Sequence, residues 1–296
     1  MSLRFKAISE ADGSFSKEKK MDLGNGSEVV YLPRLLTSDE SWKIFDYLNN
    51  EIPWTRPTIR VFGRSHLQPR DTCYVASTGL PELSYSGYQP DAYSWDDFPP
   101  LKDMLEAVRK VLPGSTFNSL LLNRYKGGND YVGWHSDDEK LYGPNPEIAS
   151  VSFGCEREFL MKKKPSKSSQ ERRSDDEPVS KRLKKSSNPD HHSFTLKHGS
   201  LLVMRGYTQR DWIHSVPKRA KAEATRINLT FRYVLPMGDG TKRFIARLCG
   251  GRHFGGNGEN DIEGWVEMKC RSCIDGGVPA AAPPTEEPKL PTEETK

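Results

Sequence analysis

The sequence predicts a mainly β fold with flanking helices, and three observations carry that expectation. Arg226-Ile227-Asn228-Leu229-Thr230-Phe231-Arg232 alternates polar and apolar residues at the two-residue period of a strand. Further strand-like runs stand at 29–32, 117–122, 148–161 and 194–204. Only two stretches, 38–49 and 101–112, carry apolar residues at helical spacing.

The chain has 296 residues, room for one large domain with tails or for two domains. Apolar residues make up 35 %, and glycine and proline number 24 and 21, so part of the chain is expected not to pack. With 44 basic and 40 acidic side chains the net charge is +4, which suits nucleic-acid contact without requiring it. The five cysteines (Cys73, Cys155, Cys249, Cys270, Cys273) are too few and too scattered for a secreted disulfide framework, so a reducing compartment is expected. No apolar run reaches the ~20 residues of a membrane span, and no secretion signal opens the chain.

Taken in order, residues 1–27 read as a flexible lead and Val29–Leu32 as a strand. Ser38-Asp39-Glu40 offers an N-cap to a helix running to about Asn49, with Trp42, Phe45, Ile44 and Leu48 expected in the core. Residues 54–74 read as a strand, a basic turn and a strand. The tip Val61-Phe62-Gly63 lies among Arg60, Arg64 and Arg70. An apolar tip between cations suits a side chain that enters a base stack while arginines hold phosphates; a surface hairpin with a half-buried Phe62 is the alternative. Residues 80–100 hold Tyr85, Tyr88, Tyr93 and Trp95 among prolines, and helix 101–112 should end at Pro113-Gly114. The run 117–122 delivers Asn123 and Tyr125, and 126–130 is a turn. Strands 148–161 and 194–204 are expected side by side in one sheet. Between them, 162–193 carries ten basic and five acidic side chains and almost nothing apolar, the composition of a disordered insert. Its runs Lys162-Lys163-Lys164 and Lys181-Arg182-Leu183-Lys184-Lys185 read as arms of a nuclear import signal or as a phosphate-binding patch.

His135 and Asp137 are two apart, so on a strand they share a face. A His-x-Asp alone is usually an incidental hydrogen-bonded pair. His214, twelve residues before Arg226, supplies a third ligand, and two histidines with one carboxylate form the facial triad of non-haem Fe(II) oxygenases. His191 and His192 fall in the insert, and His198 precedes Gly199 at a turn where a structural hydrogen bond suits it better. Arg226, Asn228, Thr230 and Arg232 share one strand face; two inward arginines call for an anion, and a dicarboxylate such as 2-oxoglutarate matches a guanidinium fork.

Together His135-x-Asp137, His214, the Arg226–Arg232 strand and Asn123-x-Tyr125 resemble the AlkB family of Fe(II)/2-oxoglutarate-dependent nucleic-acid dealkylating dioxygenases, most closely the second and third eukaryotic homologues. Supporting stretches are 116–125, His135-Ser136-Asp137-Asp138-Glu139, 148–154 and His198-Gly199-Ser200-Leu201-Leu202, in order over residues 28–235. The resemblance implies a double-stranded β-helix, or jelly roll, with a nucleotide-recognition lid over 54–100. It implies Fe(II) on His135, Asp137 and His214. Asn123, Tyr125, Arg226, Asn228, Thr230 and Arg232 would surround 2-oxoglutarate, with Arg226 on the far carboxylate. Phe62 would intercalate, with Gly63, Arg64 and Arg70 beside it, Tyr85 would stack on a flipped base, and Asp138 would meet an exocyclic amino group or else be a solvated turn charge. O2 is the co-oxidant.

The domain is expected over 28–236, followed by an extension at 237–275 and a disordered tail at 276–296. Cys249, His253, Cys270 and Cys273 offer four ligands for a structural zinc ion, a weak signal. The expected activity is oxidative demethylation of 1-methyladenine and 3-methylcytosine in DNA, and in RNA as a further substrate, by a monomer without membrane contact in the nucleus and also the cytoplasm. The alternatives are hydroxylation of a protein or small molecule, or a non-catalytic damage-binding scaffold.

Overall fold

A computed structural model of the chain describes residues 18–61, 63–165 and 189–236. The larger of its two main sheets has eight strands in the order β1-β2-β12-β9-β14-β7-β5-β6. These are β1 (Lys19–Gly24), β2 (Ser27–Leu32), β5 (Asp71–Ala76), β6 (Ala92–Tyr93), β7 (Ser119–Tyr125), β9 (Ile148–Gly154), β12 (Ser200–Gly206) and β14 (Arg226–Arg232). The smaller sheet orders β11 (His191–Leu196), β10 (Arg157–Lys163), β13 (Trp212–Val216) and β8 (Val132–His135). A separate hairpin pairs β3 (Thr58–Val61) with β4 (Arg64–Leu67). Helices α1 (Ser38–Glu51) and α2 (Pro99–Val111), the single turn α3 (Thr208–Asp211) and 3-10 turns at Trp95–Asp97 and Lys140–Tyr142 complete the elements of the described chain. This is the jelly roll expected from the sequence, and no helix among the described residues is long and apolar enough to cross a membrane.

The two-residue period of the large sheet divides its side chains between two tasks. From β7, β9, β12 and β14, Leu120, Leu122, Val151, Phe153, Leu201, Val203, Ile227, Leu229 and Phe231 point to one side and pack with Ile44 and Leu48 of α1 and Leu101, Met104 and Val108 of α2. Burial of each such side chain is worth roughly 1.5–3 kcal/mol, which clamps the sheet against its helices. The other face meets the small sheet, where Tyr125, Ile148, Leu202 and Met204 close on Phe159, Met161, Trp212 and Val216. Thr37 caps α1 in a reciprocal capping box with Glu40.

Several elements depart from the sequence reading. Lys19–Gly24, within the expected flexible lead, is strand β1. It pairs with β2 through Asn25-Gly26, both at positive φ (54° and 72°), the geometry a type I′ turn requires. The runs 148–161 and 194–204 each divide between the two sheets, β9 and β12 in the large one and β10 and β11 in the small. The first breaks at Gly154, whose φ is +81° and where a Cβ would lie 2.3 Å from the Thr225 carbonyl oxygen. His198 sits at the second break and accepts a hydrogen bond from the Gly154 amide at 2.9 Å, tying the two corners together. The insert is shorter than expected: β10 runs to Lys163 and pairs Lys162 with His191, so His191 and His192 belong to a strand. Trp42 leaves the apolar stripe of α1 and is 48 % exposed, stacked on His198 at 4.0 Å.

One ionic cluster secures the end of β5 and β7. Asp71 accepts from Arg56 Nε at 2.6 Å and Arg124 Nη2 at 2.9 Å, with Lys126 Nζ at 3.2 Å, while Asp130 takes Arg56 Nη2 at 2.7 Å. Burial alone would raise the Asp71 pKa, but the hydrogen bonds from Arg56, Arg124 and Lys126 hold it below the ordinary carboxylate value. A depressed pKa stabilises the fold above the unfolded-state value and that contribution fades as pH falls through the folded one. Asp71→Asn is expected to destabilise the protein by about 3 kcal/mol in urea unfolding at neutral pH, because three cations lose a buried partner. Below pH ~4 the wild type should lose this advantage, so the two unfolding curves converge there.

Candidate metal centre and its cavity

Strands β8 and β13 are antiparallel, and His135 and His214 are directly paired across them. Opposed residues on neighbouring strands share a face, which brings the two imidazoles to a centroid separation of 4.3 Å. Strand β8 ends at His135, so Asp137 sits in the segment after it rather than on the strand, and it still reaches the same point. Its Oδ1 is 4.0 Å from His135 Nε2, and one ligand atom from each of the three residues lies within 4.8 Å of the others. His135 Nδ1 lies 2.9 Å from the Gly133 carbonyl oxygen; donating there places the proton on Nδ1 and leaves Nε2 as an acceptor for a metal. Phe159 stacks on the His214 ring at 5.1 Å.

The charges suit metal binding. Burial, reinforced by the neighbouring His135, pulls the His214 pKa down to about 3, and burial lowers His135 as well. For Asp137 burial acts upward, but Arg232 and the two imidazoles outweigh it and bring the carboxyl to about 2. Two neutral imidazoles and one carboxylate on a single face, open to a cavity on the other side, fit Fe(II) with coordination positions to spare.

That cavity has a volume of about 720 Å³ and is bounded by both sheets and the residues around the β3–β4 hairpin. The polar face of β14 forms its floor: Arg226, Asn228, Thr230 and Arg232 all line it, together with Asn123 and Tyr125 of β7. Arg226 is 1 % exposed and donates from Nη2 to Ser152 Oγ at 3.0 Å, while its Nε and Nη1 have no partner. Its guanidinium lies 5.1 Å from the Tyr125 ring centre. A buried cation with two idle donors is the counterpart of a carboxylate. Arg232 differs from the sequence expectation in its anion: it donates to Asp137 Oδ1 at 2.9 Å, a carboxylate of the candidate metal centre. Asn228 and Thr230 are tied to each other at 2.8 Å, and Asn228 also donates to Ser150 Oγ at 2.7 Å.

The residues expected to meet a substrate fall in different places. Tyr85 lines the cavity, with its hydroxyl 3.4 Å from Gln68 Oε1 and its ring edge-on to Tyr88 at 5.7 Å. Asp138 also lines it and is ion-paired with Lys164 at 3.3 Å, so it is no solvated turn charge. Arg70 turns inward, donating from Nε to Asn123 Oδ1 at 2.7 Å, and is a wall of the cavity rather than a flank of the hairpin tip. Arg64 is exposed on β4, and Gly63 occupies the left-handed region at φ +70° in the turn before it. Phe62 lies outside the described residues, as do Cys249, His253, Cys270 and Cys273 and the run 181–185.

Sequence reasoning missed Gln209. Its Oε1 accepts the Asp137 amide at 2.9 Å, and its buried side chain holds the metal segment from the single turn α3. Lys164 was read as part of a charge run, yet its ammonium binds Ser136 Oγ at 2.9 Å and Asp138 Oδ2 at 3.3 Å, the residues on either side of Asp137, and the Gln209 carbonyl at 2.9 Å. Neither residue belongs to a local pattern, because each is separated from Asp137 by tens of residues. Alanine at His135 or His214 is expected to abolish binding of Co(II), followed by its visible absorption. Gln209→Leu should weaken Co(II) binding about tenfold by loosening the backbone of Asp137.

Comparison with known proteins agrees with this geometry. Residues 28–232 match the family described as the 2OG-Fe(II) oxygenase superfamily. The chain is 69 % identical over 228 residues to the DNA oxidative demethylase ALKBH2 of Arabidopsis thaliana, covering 77 % of this chain and 73 % of the relative. It is 38 % identical over 200 residues to the DNA oxidative demethylase ALKBH2 of Mus musculus, covering 67 % and 76 %. To the alpha-ketoglutarate-dependent dioxygenase alkB homolog 3 of Bos taurus it is 36 % identical over 210 residues, covering 71 % and 67 %. The family implies Fe(II) and 2-oxoglutarate, the two groups that the His135-Asp137-His214 face and the idle donors of Arg226 suit. By its matched residues and by the disposition of these side chains, the chain belongs to the 2OG-Fe(II) oxygenase superfamily.

Proposed function

We propose that the protein is a DNA oxidative demethylase acting on 1-methyladenine and 3-methylcytosine. The observation that carries this reading is one cavity shared by a two-histidine, one-carboxylate face, a buried guanidinium with two idle donors, and an aromatic and acidic wall. Relatives sharing 69 % and 38 % of aligned residues are DNA oxidative demethylases. Iron(II), with 2-oxoglutarate and O2, supplies the oxidising power when bound. The N-methyl group becomes N-hydroxymethyl and leaves as formaldehyde, while 2-oxoglutarate becomes succinate and CO2; one oxygen atom of O2 ends in succinate and the other in the hydroxymethyl group.

The protein's part is placement and exclusion of water. His135, Asp137 and His214 would hold the metal. The idle Nε and Nη1 of Arg226, beside Tyr125, would hold the far carboxylate of 2-oxoglutarate, and Asn123 and Arg232 would serve its keto-acid end, with Asn228 and Thr230 on the same strand face. A base lifted from its stack enters over Tyr85, whose ring offers a face to stack on. Asp138, with its carboxylate also on Lys164, suits an exocyclic amino group. Phe62, with Gly63 and Arg64, fills the gap left in the duplex. Methylated RNA presents the same base edges and is a further substrate, and the enzyme works as a monomer.

Action in the nucleus is supported by the run 181–185 more than by 162–164. Lys162 Nζ lies 4.4 Å from the Trp134 ring centre and Lys164 is bound to Asp138, so that arm is engaged within the fold.

Mass spectrometry of methylated DNA and RNA oligonucleotides, with iron, ascorbate and 2-oxoglutarate present or withheld, tests the reading. Demethylation with release of formaldehyde is expected only with iron and 2-oxoglutarate both present, ascorbate serving to keep the iron ferrous; conversion of a peptide or no conversion of 2-oxoglutarate would sink it. Arg226→Met should raise the 2-oxoglutarate KM about 100-fold, the loss of two charge-assisted hydrogen bonds. Phe62→Ala should reduce turnover of duplexes more than of single strands, and equal loss on both would remove the hairpin from the mechanism.

A further inference from the structure

Gln68 follows β4 and precedes β5, on the wall of the cavity that also holds Tyr85. It is 1 % exposed, and its backbone amide donates to the Pro57 carbonyl at 2.9 Å, which fixes the base of the side chain. One half of its side-chain amide faces the Tyr85 hydroxyl at 3.4 Å; the other half, Nε2, is buried without a partner. Turning the amide over exchanges the two halves but leaves one of them idle in either case. His66, Leu67, Pro69, Arg70, Tyr85 and Ser86 line the same part of the cavity, and an amide half that is buried yet unpaired is costly.

We propose that Gln68 is a specificity-determining residue that reads the base by its edge and favours methylated adenine over methylated cytosine. The inference rests on the demethylase reading above and adds the choice between its two bases. A glutamine amide presents a donor and an acceptor side by side, the complement of adenine N7 and the adenine N6 amino group. Methylation at N1 blocks the Watson–Crick edge of adenine and leaves the N6/N7 edge intact. Cytosine methylated at N3 retains its N4 amino group, but beside it stands a C5–H, which accepts nothing. Gln68 therefore makes two hydrogen bonds to the purine and one to the pyrimidine. The Tyr85 hydroxyl, by occupying one lone pair of Oε1, orients the amide and leaves its second lone pair for N6.

The experiment compares kcat/KM on single-stranded oligonucleotides carrying 1-methyladenine or 3-methylcytosine, for wild type and Gln68→Met, which keeps the volume and removes the amide. The adenine-to-cytosine ratio is expected to fall about tenfold, the loss of one extra hydrogen bond. Should the methionine protein melt early or fail to bind 2-oxoglutarate with Mn(II) in place of iron, Gln68→Glu takes its place. That variant retains an acceptor for N6 and removes the donor for N7, so the ratio should again fall. An unchanged ratio in a folded variant, with both bases slowed alike or neither slowed, would overturn the role of Gln68 alone. A wild type that demethylates neither base would overturn the demethylase reading and this inference with it.

Discussion

The centre of this protein depends on one register: His214 of β13 opposite His135 of β8. Shifting either strand by one residue would turn every side chain to the other face and separate the imidazoles. The register is held from both sides. Met161 of β10 is paired with His214, and Leu160 with Ser215, so the histidine strand is fixed by a neighbour anchored in the apolar core. Arg157, at the start of β10, is buried and donates to the carbonyl oxygens of Asp130 at 2.8 Å and Pro217 at 2.6 Å. Those carbonyls belong to the segments just before β8 and just after β13. A buried guanidinium bonded to backbone carbonyls thus joins the ends of both histidine strands, in the role a covalent link would otherwise have.

The large sheet serves the same centre by division of faces. The outward residues of β14, Ile227, Leu229 and Phe231, are packed with the helices, and this fixes where Arg226, Asn228, Thr230 and Arg232 stand on the opposite face. Displacing Arg226 would mean displacing the apolar residue beside it from a close-packed core, which costs several kcal/mol. Precision at the cofactor end of the cavity is therefore inherited from hydrophobic packing on the far side of the strand.

This division explains what was legible in the sequence. The alternation over 226–232 and the pair His135-x-Asp137 are local patterns, and His214 stands only twelve residues before Arg226; the long step from His135 to His214 was bridged by the resemblance to a family, and together these pointed to the floor of the cavity and to the three side chains that converge beside it. Asn25-Gly26 was an equally local signal, a type I′ turn pair between alternating residues, and it was passed over because the lysines before it made 1–27 read as a lead. The break at Gly154 was harder, since a continuous β-like run does not announce that its halves lie in different sheets; the Thr225 carbonyl and the Phe45 ring, both distant in sequence, leave no room for a side chain there. Arg70 illustrates the limit. As one of three arginines near an apolar tip it looked like a phosphate contact, but β5 pairs with β7, setting Thr72 opposite Asn123, and the guanidinium finds the Asn123 side chain within reach. Gln209 and Lys164 were illegible for the same reason: a contact made through tertiary structure leaves no period or motif.

The cavity's polar walls follow a single energetic logic. Arg226 is a buried cation without a carboxylate, and Gln68 is a buried amide with one idle half. Each is a burden on the folded protein alone, of order 1–3 kcal/mol for an unsatisfied neutral group and more for a charged one. A ligand that supplies the missing partner recovers this free energy; one of the same shape without the right acceptor does not. Discrimination of that kind is steeper than an apolar pocket achieves, because the wrong ligand leaves the buried group unpaired while also displacing any water that had served it. The fold tolerates these groups because its larger apolar cluster lies on the far side of the large sheet, against α1 and α2, and does not depend on what occupies the cavity.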